Sequence, residues 1–431
     1  MVTRRAFLEA SSLALAATTV RPETAEAQGR QEPPLPPSIA ALMPMRDGVV
    51  PISVEERRAR LERARRLMQE RGLDALFLTG GTSLVYFTNV RWGISERLFA
   101  VVVPARGRPF VVSPAFEEDR AREQLGEGPL GPDGVDVLTW QEDESPYRLV
   151  ADGLASHGVV GGAIGMEETV RFVFADGVAQ AAPAAKVVSG TPVTAGCRGR
   201  KDEHEIALMR HASAVTLRAY AAAYQALEEG MTQNRFAELV SIAHSRLGYP
   251  GGAGVQVGEY SALPHGSVTP QAIREGASLL MDGGCTVEGY RSDLSRTMVL
   301  GKPTQRMRDV FAIVHQAQAE ALRTARPGVP CEAVDAAARR VITDAGFGPD
   351  YKYFTHRVGH GIGMDGHEWP YLVRGNTLPL EPGMTFSDEP GIYIPGEFGV
   401  RLEDDMLITP DGAELLTPPS PSLADPFGAG G

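Results

Sequence analysis

Two aspartates, Asp282 and Asp293, flank a segment whose composition is typical of a tight turn. Short apolar runs adjoin both of them, and Glu288-Gly289-Tyr290 lies between the runs. The midpoint of positions 282 and 293 is 287.5, so a hairpin that turns there places the two carboxylates opposite each other on paired strands. The spacing therefore predicts a facing pair of acidic side chains.

A second acidic pair repeats this arrangement. Glu389 and Glu403 have their midpoint at position 396, which is the glycine of the turn signal Pro395-Gly396-Glu397. Two such hairpins would aim four carboxylates at one place. Like charges at such short distances are costly unless a proton or a cation lies between them, so the pattern predicts a metal site.

His360 adds a nitrogen ligand to this set. Hard carboxylate oxygens with one imidazole suit Mn²⁺, Co²⁺, Zn²⁺ or Fe²⁺ better than an ion that prefers thiolates. Five ligands with two bridging carboxylates are enough for two metals about 3.5 to 4 Å apart, a pair that activates water at neutral pH. We therefore expect a dinuclear centre, with two divalent metal ions as cofactors.

Three further histidines are candidates for work at this centre. His356 and His367 stand on either side of His360 in a glycine-rich run, and glycines allow the backbone to approach a site closely. His265 follows Pro264 in a loop that leads to the strand of Asp282. Each histidine alone would more often be a packed or solvated side chain, so the prediction depends on the joint pattern.

The elements that must position these residues fall into two folding units that join near residue 200. Ser53 and Glu56 resemble a capping box at the start of an amphipathic helix, and short apolar runs between helical patterns then predict an α/β domain. Four helical patterns follow, at 201–230, 232–247, 307–325 and 331–345. We expect an α+β domain in which these helices cover one face of an antiparallel sheet.

The two ends of the chain are assigned to other roles. Arg4-Arg5 precedes a weakly apolar stretch and Ala25-Glu26-Ala27, which is typical of a Tat export signal with a cleavage site. The stretch is shorter than the ~20 residues that span a bilayer, so no membrane span is expected. The predicted organisation is a Tat signal at 1–27, a Pro-rich leader at 28–48, an N-terminal α/β domain at 49–195, a catalytic domain at 196–416 and a disordered tail at 417–431.

Composition excludes several classes of function. The formal net charge of -12 argues against a nucleic-acid partner, since binding phosphates requires a basic surface. The three cysteines are too few for a disulfide framework or a four-thiolate zinc site.

The motifs together resemble the pita-bread metallopeptidases. The matching strings are Asp282-x10-Asp293-x-Ser295-Arg296-Thr297, His356-x3-His360-x6-His367-Glu368-x-Pro370, Glu389-Pro390-Gly391 and Arg401-x-Glu403-Asp404. With an α/β domain before them, the resemblance is closest to aminopeptidase P, prolidase and creatinase, and it covers roughly residues 50–415. It implies a creatinase-type N-terminal domain followed by a pita-bread catalytic domain.

The resemblance also implies a role for each residue. Asp282 would bind one metal, Asp293 and Glu403 would bridge both, and His360 and Glu389 would complete the second, with manganese the expected metal. Glu389 would also carry a proton to the leaving nitrogen. His265 and His367 would hold the substrate carbonyl and the oxyanion, His356 would line the pocket, and Arg401 would orient the bridging carboxylates. Arg374, after a one-residue shift, would grip the substrate's C-terminal carboxylate.

Three classes of function remain open at this stage. The leading one is a metallopeptidase that cuts the bond before proline, in Xaa-Pro dipeptides or in longer peptides with proline second. The others are a creatinase-like hydrolase that works without metal and a binding protein on the same fold, and the complete ligand set disfavours both. The resemblance further implies a homodimer or higher homo-oligomer, and the signal implies the Tat translocase as a partner and a periplasmic or secreted location.

Asp388 departs from the resemblance, because it replaces an apolar residue before Glu389. Since side chains alternate along a strand, we expect Asp388 to point away from the metal ligands.

Overall fold

The computed structural model describes residues 34–131 and 134–428. The Tat signal predicted at 1–27 lies outside the described residues. Within the described ranges, no helix combines the length and the apolar character that crossing a membrane requires.

A mixed six-stranded sheet forms the centre of the N-terminal region. Its strand order is β4-β3-β2-β1-β5-β6, and the pairs β1/β2 and β2/β3 are antiparallel while the other pairs are parallel. The strands are β1 (Ala75–Thr79), β2 (Ala100–Pro104), β3 (Phe110–Pro114), β4 (Asp136–Trp140), β5 (Gly162–Met166) and β6 (Ala185–Ser189). The apolar runs that predicted strands near 75, 98 and 110 therefore do form strands.

Helices cover both faces of this sheet. They are α2 (Val54–Arg71), α3 (Thr82–Thr88), α4 (Glu118–Gly126), α5 (Pro146–Ser156), α6 (Phe172–Ala181) and α7 (Thr191–Arg198), after a short α1 (Pro37–Ala40). Helices α2 and α7 pack on one face, and α5 and α6 pack on the other. The predicted capping box starts α2, with Ser53 as its N-cap and Glu56 as the reciprocal partner.

Four long helices and eleven strands form the catalytic region. The helices are α8 (Glu203–Tyr224), α9 (Gln233–Leu247), α10 (Gln305–Thr324) and α11 (Cys331–Asp344). The strands are β7 (Gly251–Val257), β8 (Ser278–Val287), β9 (Tyr290–Arg291), β10 (Leu294–Val299), β11 (Gly359–Gly361), β12 (Glu368–Leu372), β13 (Thr385–Asp388), β14 (Gly391–Ile394), β15 (Phe398–Arg401), β16 (Asp404–Ile408) and β17 (Ala413–Leu415).

The catalytic strands pair antiparallel throughout. Two sheets, β10-β8-β7 and β12-β11-β13-β16-β17, are joined where Ser295 bridges to Glu403, and β14 and β15 form a separate hairpin. Helices α8 and α9 pack on the first sheet, while α10 and α11 pack on the second. The predicted combination of an α/β domain with an α+β domain is confirmed.

The structure corrects the assignment of both flanking segments. Ile39 and Leu42, in the segment predicted as a leader, are buried against the first catalytic sheet and its helices. The prediction of a disordered tail is wrong for 417–428, because Thr417 donates a hydrogen bond to Asp404 and Leu423 is buried in the core. The prediction of disorder rested on the proline and glycine content of the segment. The contacts of Thr417 and Leu423 are nevertheless enough to dock it.

Candidate metal centre

The first hairpin turns close to where the sequence predicted, but its midpoint lies one position later, which shifts the strand pairing by two residues. Glu288 and Gly289 both have positive φ, at 49° and 92°, as a two-residue type I′ turn requires. The midpoint of the hairpin is therefore 288.5, and Asp282 pairs with Ser295 rather than with Asp293. Asp293 lies in the short break between β9 and β10. The expectation that the two aspartates would pair directly is wrong, although their carboxylates still converge.

The second hairpin has the predicted register. Gly391 pairs with Arg401 and Asp388 pairs with Asp404, so both pairs share the midpoint 396. Gly396 occupies the turn with a positive φ of 77°. Glu389 and Glu403 lie between these two pairs, which places them opposite each other.

Ser295 connects the two hairpins at their acidic residues. Its Oγ lies 2.6 Å from Glu403 Oε2 and 2.9 Å from Asp282 Oδ1, and it accepts a hydrogen bond from Arg401 Nε at 2.8 Å. A buried hydroxyl that accepts from a guanidinium and donates to a carboxylate fixes both groups. The structure thus positions Asp282 and Glu403 through one serine.

The predicted metal ligands form overlapping groups. Ligand atoms of Asp282, Asp293 and Glu403 lie within 4.8 Å of one another, and so do those of His360, Glu389 and Glu403. Glu403 belongs to both groups, as a residue that bridges two cations must. A third group joins Asp293 and His360 to His367, which was predicted as a catalytic and substrate-binding residue and not as a metal ligand.

His360 is prepared to act as a ligand through its Nε2 atom. Nδ1 lies 3.1 Å from the carbonyl of Gly361, so that nitrogen carries the proton. Nε2 faces Glu389 Oε1 at 3.3 Å and Asp293 Oδ2 at 3.9 Å. Burial lowers the pKa of His360 to about 3, which keeps the imidazole neutral and able to coordinate a metal.

The electrostatics of the cluster fit divalent cations. Burial and neighbouring carboxylates raise the pKa of Asp293 and of Glu403 well above their usual range. Burial raises the pKa of Glu389 to about 7, against the attraction of Arg401. These carboxylates are costly to ionise together without a counterion, and a cation among them removes that cost. The donor set of four carboxylates and one imidazole suits the hard to borderline ions expected from the sequence.

The remaining predicted histidines line the same cavity, whose volume is about 370 Å³. His356 Nε2 lies 2.7 Å from the Tyr393 hydroxyl, and burial lowers the pKa of His356 to about 3. The His367 ring stacks on the His360 ring at 3.6 Å between centroids. His265 reaches the cavity from its exposed loop. Arg401, as predicted, contacts the acidic cluster, through Asp282 and Ser295.

Arg374 does not contribute to this cavity. Its side chain is 57% exposed and pairs with Asp350 at 2.9 Å, so the structure corrects its assignment as the carboxylate clamp. The residue that the sequence analysis missed is Arg357, which lines the cavity. Its guanidinium lies over the Tyr371 ring at 4.1 Å, and Nη2 is 3.4 Å from His367 Nδ1. Its position directly after His356 was the available signal in the sequence.

Comparison with known proteins identifies the two regions. The model of metallopeptidase family M24 matches residues 207–410, and that of the creatinase/prolidase N-terminal domain matches residues 60–199. The chain is 38% identical to the probable dipeptidase PepE of Mycobacterium tuberculosis over 331 residues, which cover 76% of this chain and 85% of that protein. It is 32% identical to the Xaa-Pro dipeptidase of Lactobacillus delbrueckii subsp. lactis over 346 residues, which cover 76% and 88%.

A solved structure gives the same result. The crystal structure of dipeptidase PepE from Mycobacterium ulcerans superimposes with a TM-score of 0.81 at 33% identity, covering 87% of this chain and 99% of that chain. The predicted pita-bread fold and metallopeptidase activity are thereby confirmed. The chain belongs to metallopeptidase family M24 and carries a creatinase/prolidase N-terminal domain.

Proposed function

We propose that this metallopeptidase is an Xaa-Pro dipeptidase that uses two divalent cations, with manganese the expected metal. The observation that carries the proposal is the guanidinium of Arg357, which lines the cavity of the acidic cluster. Arg401, the other cationic lining residue, is paired with Asp282 and Glu403, whereas Arg357 has no ion pair among the described residues. A guanidinium without a carboxylate partner suits the free C-terminus of a dipeptide.

The five ligands would hold the cations as the overlapping groups suggest. Asp282, Asp293 and Glu403 would hold one, and Asp293, His360, Glu389 and Glu403 would hold the other, with Asp293 and Glu403 shared. When bound, the cations supply Lewis-acid activation of water and of the scissile carbonyl.

The chain's own residues would supply proton transfer and orientation. Glu389 would accept a proton on its carboxylate and pass it to the leaving nitrogen of proline, which must gain a proton when the bond breaks. His367 and His265 both line the cavity and would donate hydrogen bonds to the substrate carbonyl and the developing oxyanion. Val373 and Tyr351 add apolar surface for the pyrrolidine ring.

Hydrolysis of three matched substrates tests the proposal. They are an Xaa-Pro dipeptide, a longer Xaa-Pro-Xaa peptide and a dipeptide without proline, each with Mn²⁺-loaded protein and with chelator. Cleavage confined to the Xaa-Pro dipeptide and abolished by chelator is the expected result. Preferential cleavage of the longer peptide would make the protein an aminopeptidase P, and cleavage of none by protein that holds two metals would refute the substrate class.

We also propose that the protein assembles as a homo-oligomer. Ile94, Phe116 and Phe172 of the N-terminal domain are 66%, 67% and 81% exposed. Arg171 links two of their segments through the carbonyl of Ser95 at 2.6 Å, and Arg97 lies over the Phe116 ring, so these apolar side chains share one face. Light scattering at micromolar concentration tests this, and a monomer at all concentrations would contradict it.

The twin arginine at positions 4 and 5 supports export through the Tat translocase to the periplasm or beyond. Fractionation of cells that express the full chain, beside an Arg4→Lys, Arg5→Lys variant, tests this. Export that is unaffected by the substitutions would exclude the Tat route.

A further inference from the structure

The loop that carries His367 is held on both sides by buried cations from outside the catalytic sheets. Asp365 and Glu368 stand on either side of His367, and each is paired with a positive side chain. We propose that Arg198 and Lys201 are positioning residues, which set the place of the His367 ring from the N-terminal domain and the linker. The inference rests on the proposed function of His367 in holding the substrate.

The contacts are short, and those to Glu368 are almost fully buried, whereas Asp365 is 41% exposed. Arg198 Nη2 lies 2.5 Å from Asp365 Oδ2 and 2.5 Å from Glu368 Oε2, so one guanidinium joins the two sides of the loop. Lys201 Nζ lies 2.5 Å from Glu368 Oε1. The side chains of Arg198, Lys201 and Glu368 are only 8%, 2% and 7% exposed. Two cations thus meet two carboxylates, and the net charge of the group is zero.

These cations are themselves fixed to other elements. Arg198 is the last residue of α7, and Ser83 of α3 accepts a hydrogen bond from its Nη1 at 3.3 Å. Thr82, also in α3, donates to Asp365 Oδ1 at 2.5 Å. The backbone N–H of Lys201 donates to the carbonyl of Gly383 at 2.7 Å. The N-terminal domain therefore holds the loop through Arg198 and Thr82, while Lys201 is fixed to the catalytic region.

The packing leaves this arrangement little room to shift. A Cβ atom added to Gly363, in the same loop, would lie 2.4 Å from Glu368 Oε1 and 2.7 Å from Lys201 Cε. Only a glycine permits so close an approach, which holds the ion pair against the backbone of the loop.

His367 itself has few contacts that could fix its position. Its ring is exposed on the cavity side and touches the His360 ring and Arg357. The side-chain anchors at Asp365 and Glu368 therefore determine where the ring lies. Removing one partner of a buried ion pair leaves the other without compensation, so the loop would move to reach solvent. Displacements of about 1 Å at a catalytic group cost up to roughly 100-fold in rate.

The test compares Lys201→Met with a matched control, Arg200→Met. Arg200 is the preceding residue, and its ion pair with Glu381 is 49% and 45% exposed. We expect Lys201→Met to lower kcat for the Xaa-Pro dipeptide by about 10- to 100-fold with a change in KM of less than about threefold. Arg200→Met should leave both constants within about twofold of the wild type. An unchanged kcat in folded Lys201→Met would overturn the proposal.

A double-mutant cycle separates positioning from a general structural role. In a His367→Ala background, Lys201→Met should lower kcat by less than about threefold, because the group that it positions is already absent. An equal loss in both backgrounds would show that Lys201 does not act through His367. If Lys201→Met fails to fold, Arg198→Lys serves in the same cycle, since the lysine side chain is one bond shorter and its ammonium does not reach the position from which Nη2 contacts both carboxylates.

A readout without substrate distinguishes this inference from the proposed function. Imidazole ¹H–¹⁵N signals of His367 should shift or broaden in Lys201→Met and stay unchanged in Arg200→Met. If the His367 signals change in Lys201→Met and not in Arg200→Met, but the wild type does not cleave the dipeptide, the dipeptidase proposal is refuted and the positioning role stands. Unchanged His367 signals in Lys201→Met would refute the positioning role, whatever the activity.

Discussion

Arg401 forms an ion pair with Asp282 at 2.7 Å, and the two residues belong to different hairpins. The same guanidinium donates from Nε to Ser295 at 2.8 Å and from Nη1 to Tyr393 at 3.1 Å. Because Tyr393 also contacts His356, this arginine connects the metal ligands to a histidine of the substrate cavity. One buried side chain thus aligns both halves of the site.

Replacing Arg401 by methionine should weaken metal binding by about 10- to 100-fold, because Asp282 and Glu403 would lose the group that orients them. Calorimetric titration of chelator-treated protein with Mn²⁺ measures the change. Arg306→Met is the control, since Arg306 pairs with Glu397 at the exposed end of the second hairpin. Equal affinities for Arg401→Met and wild type would show that the ligands hold their geometry without the arginine.

Glu403 belongs to two of the ligand groups, so its loss should affect both cations. Mn²⁺ at about 100 times its Kd should stabilise the wild type by about 2.7 kcal/mol, which thermal unfolding reports as a higher Tm. In Glu403→Gln the increase should shrink to less than half. The control is Glu414→Gln, an exposed residue that pairs with Arg210 at the surface. A full metal-dependent increase in Glu403→Gln would contradict the bridging role.

Arg357 and Arg374 provide a direct comparison of two candidate carboxylate clamps. Arg357→Met should raise KM for an Xaa-Pro dipeptide by about 10- to 100-fold, because a charged carboxylate would lose its partner. The KM for the C-terminally amidated dipeptide should change little, since that substrate has no C-terminal carboxylate for the arginine to bind. Arg374→Ala should leave KM for both substrates unchanged, because the Arg374 side chain is solvent-exposed and paired with Asp350. Equal effects of Arg357→Met on the two substrates would exclude the clamp.

The clustering of the four carboxylates was predictable because each pair is local in the sequence. Each hairpin combines an acidic pair with a turn signal at its midpoint, so spacing alone placed all four carboxylates near one another. The error at Asp293 arose because the turn contains two left-handed residues, Glu288 and Gly289, which moves the midpoint by one position to 288.5 and the partner of Asp282 by two.

The contacts that spacing could not predict are long-range. Arg198 and Lys201 reach Glu368 across more than 160 positions of sequence, and no local pattern signals such a pair. The assignment of the carboxylate clamp to Arg357 rather than to Arg374 likewise depends on which of the two side chains faces the cavity, and this is decided only by the folded structure. Docking of the tail through Thr417 and Leu423 depends on a surface that forms only after folding.

Asp388 lies on the face opposite the metal ligands, as its alternation with Glu389 predicted. It pairs across the strands with Asp404, whereas its neighbour Ser387 lies 3.2 Å from Glu389. Both carboxylate oxygens of Asp388 are buried and have no hydrogen-bond partner among the described residues. Burial, with the charges of Asp404 and Glu389, raises the pKa of Asp388 well above its usual range.

Asp388→Asn should therefore stabilise the protein. Below about pH 4 the aspartate is protonated in both folded and unfolded chains, so the variant gains little. As the pH rises above that value, the unfolded chain loses the proton while the folded chain keeps it, and the wild type loses stability that the amide does not. We expect the advantage of the variant to grow between pH 4 and pH 7, to about 1–3 kcal/mol.

Thermal or urea unfolding at pH 4, 5.5 and 7 with saturating Mn²⁺ measures this difference. Mn²⁺ affinity should stay within about threefold of the wild type, because the substituted side chain faces away from Glu389. Ser387→Ala is the matched comparison, since that neighbour faces the ligands and should weaken metal binding without a gain in stability that depends on pH. Asp388→Asn that is less stable than wild type at pH 7 would mean that the buried carboxylate has a partner in solution, such as a cation shared with Asp404.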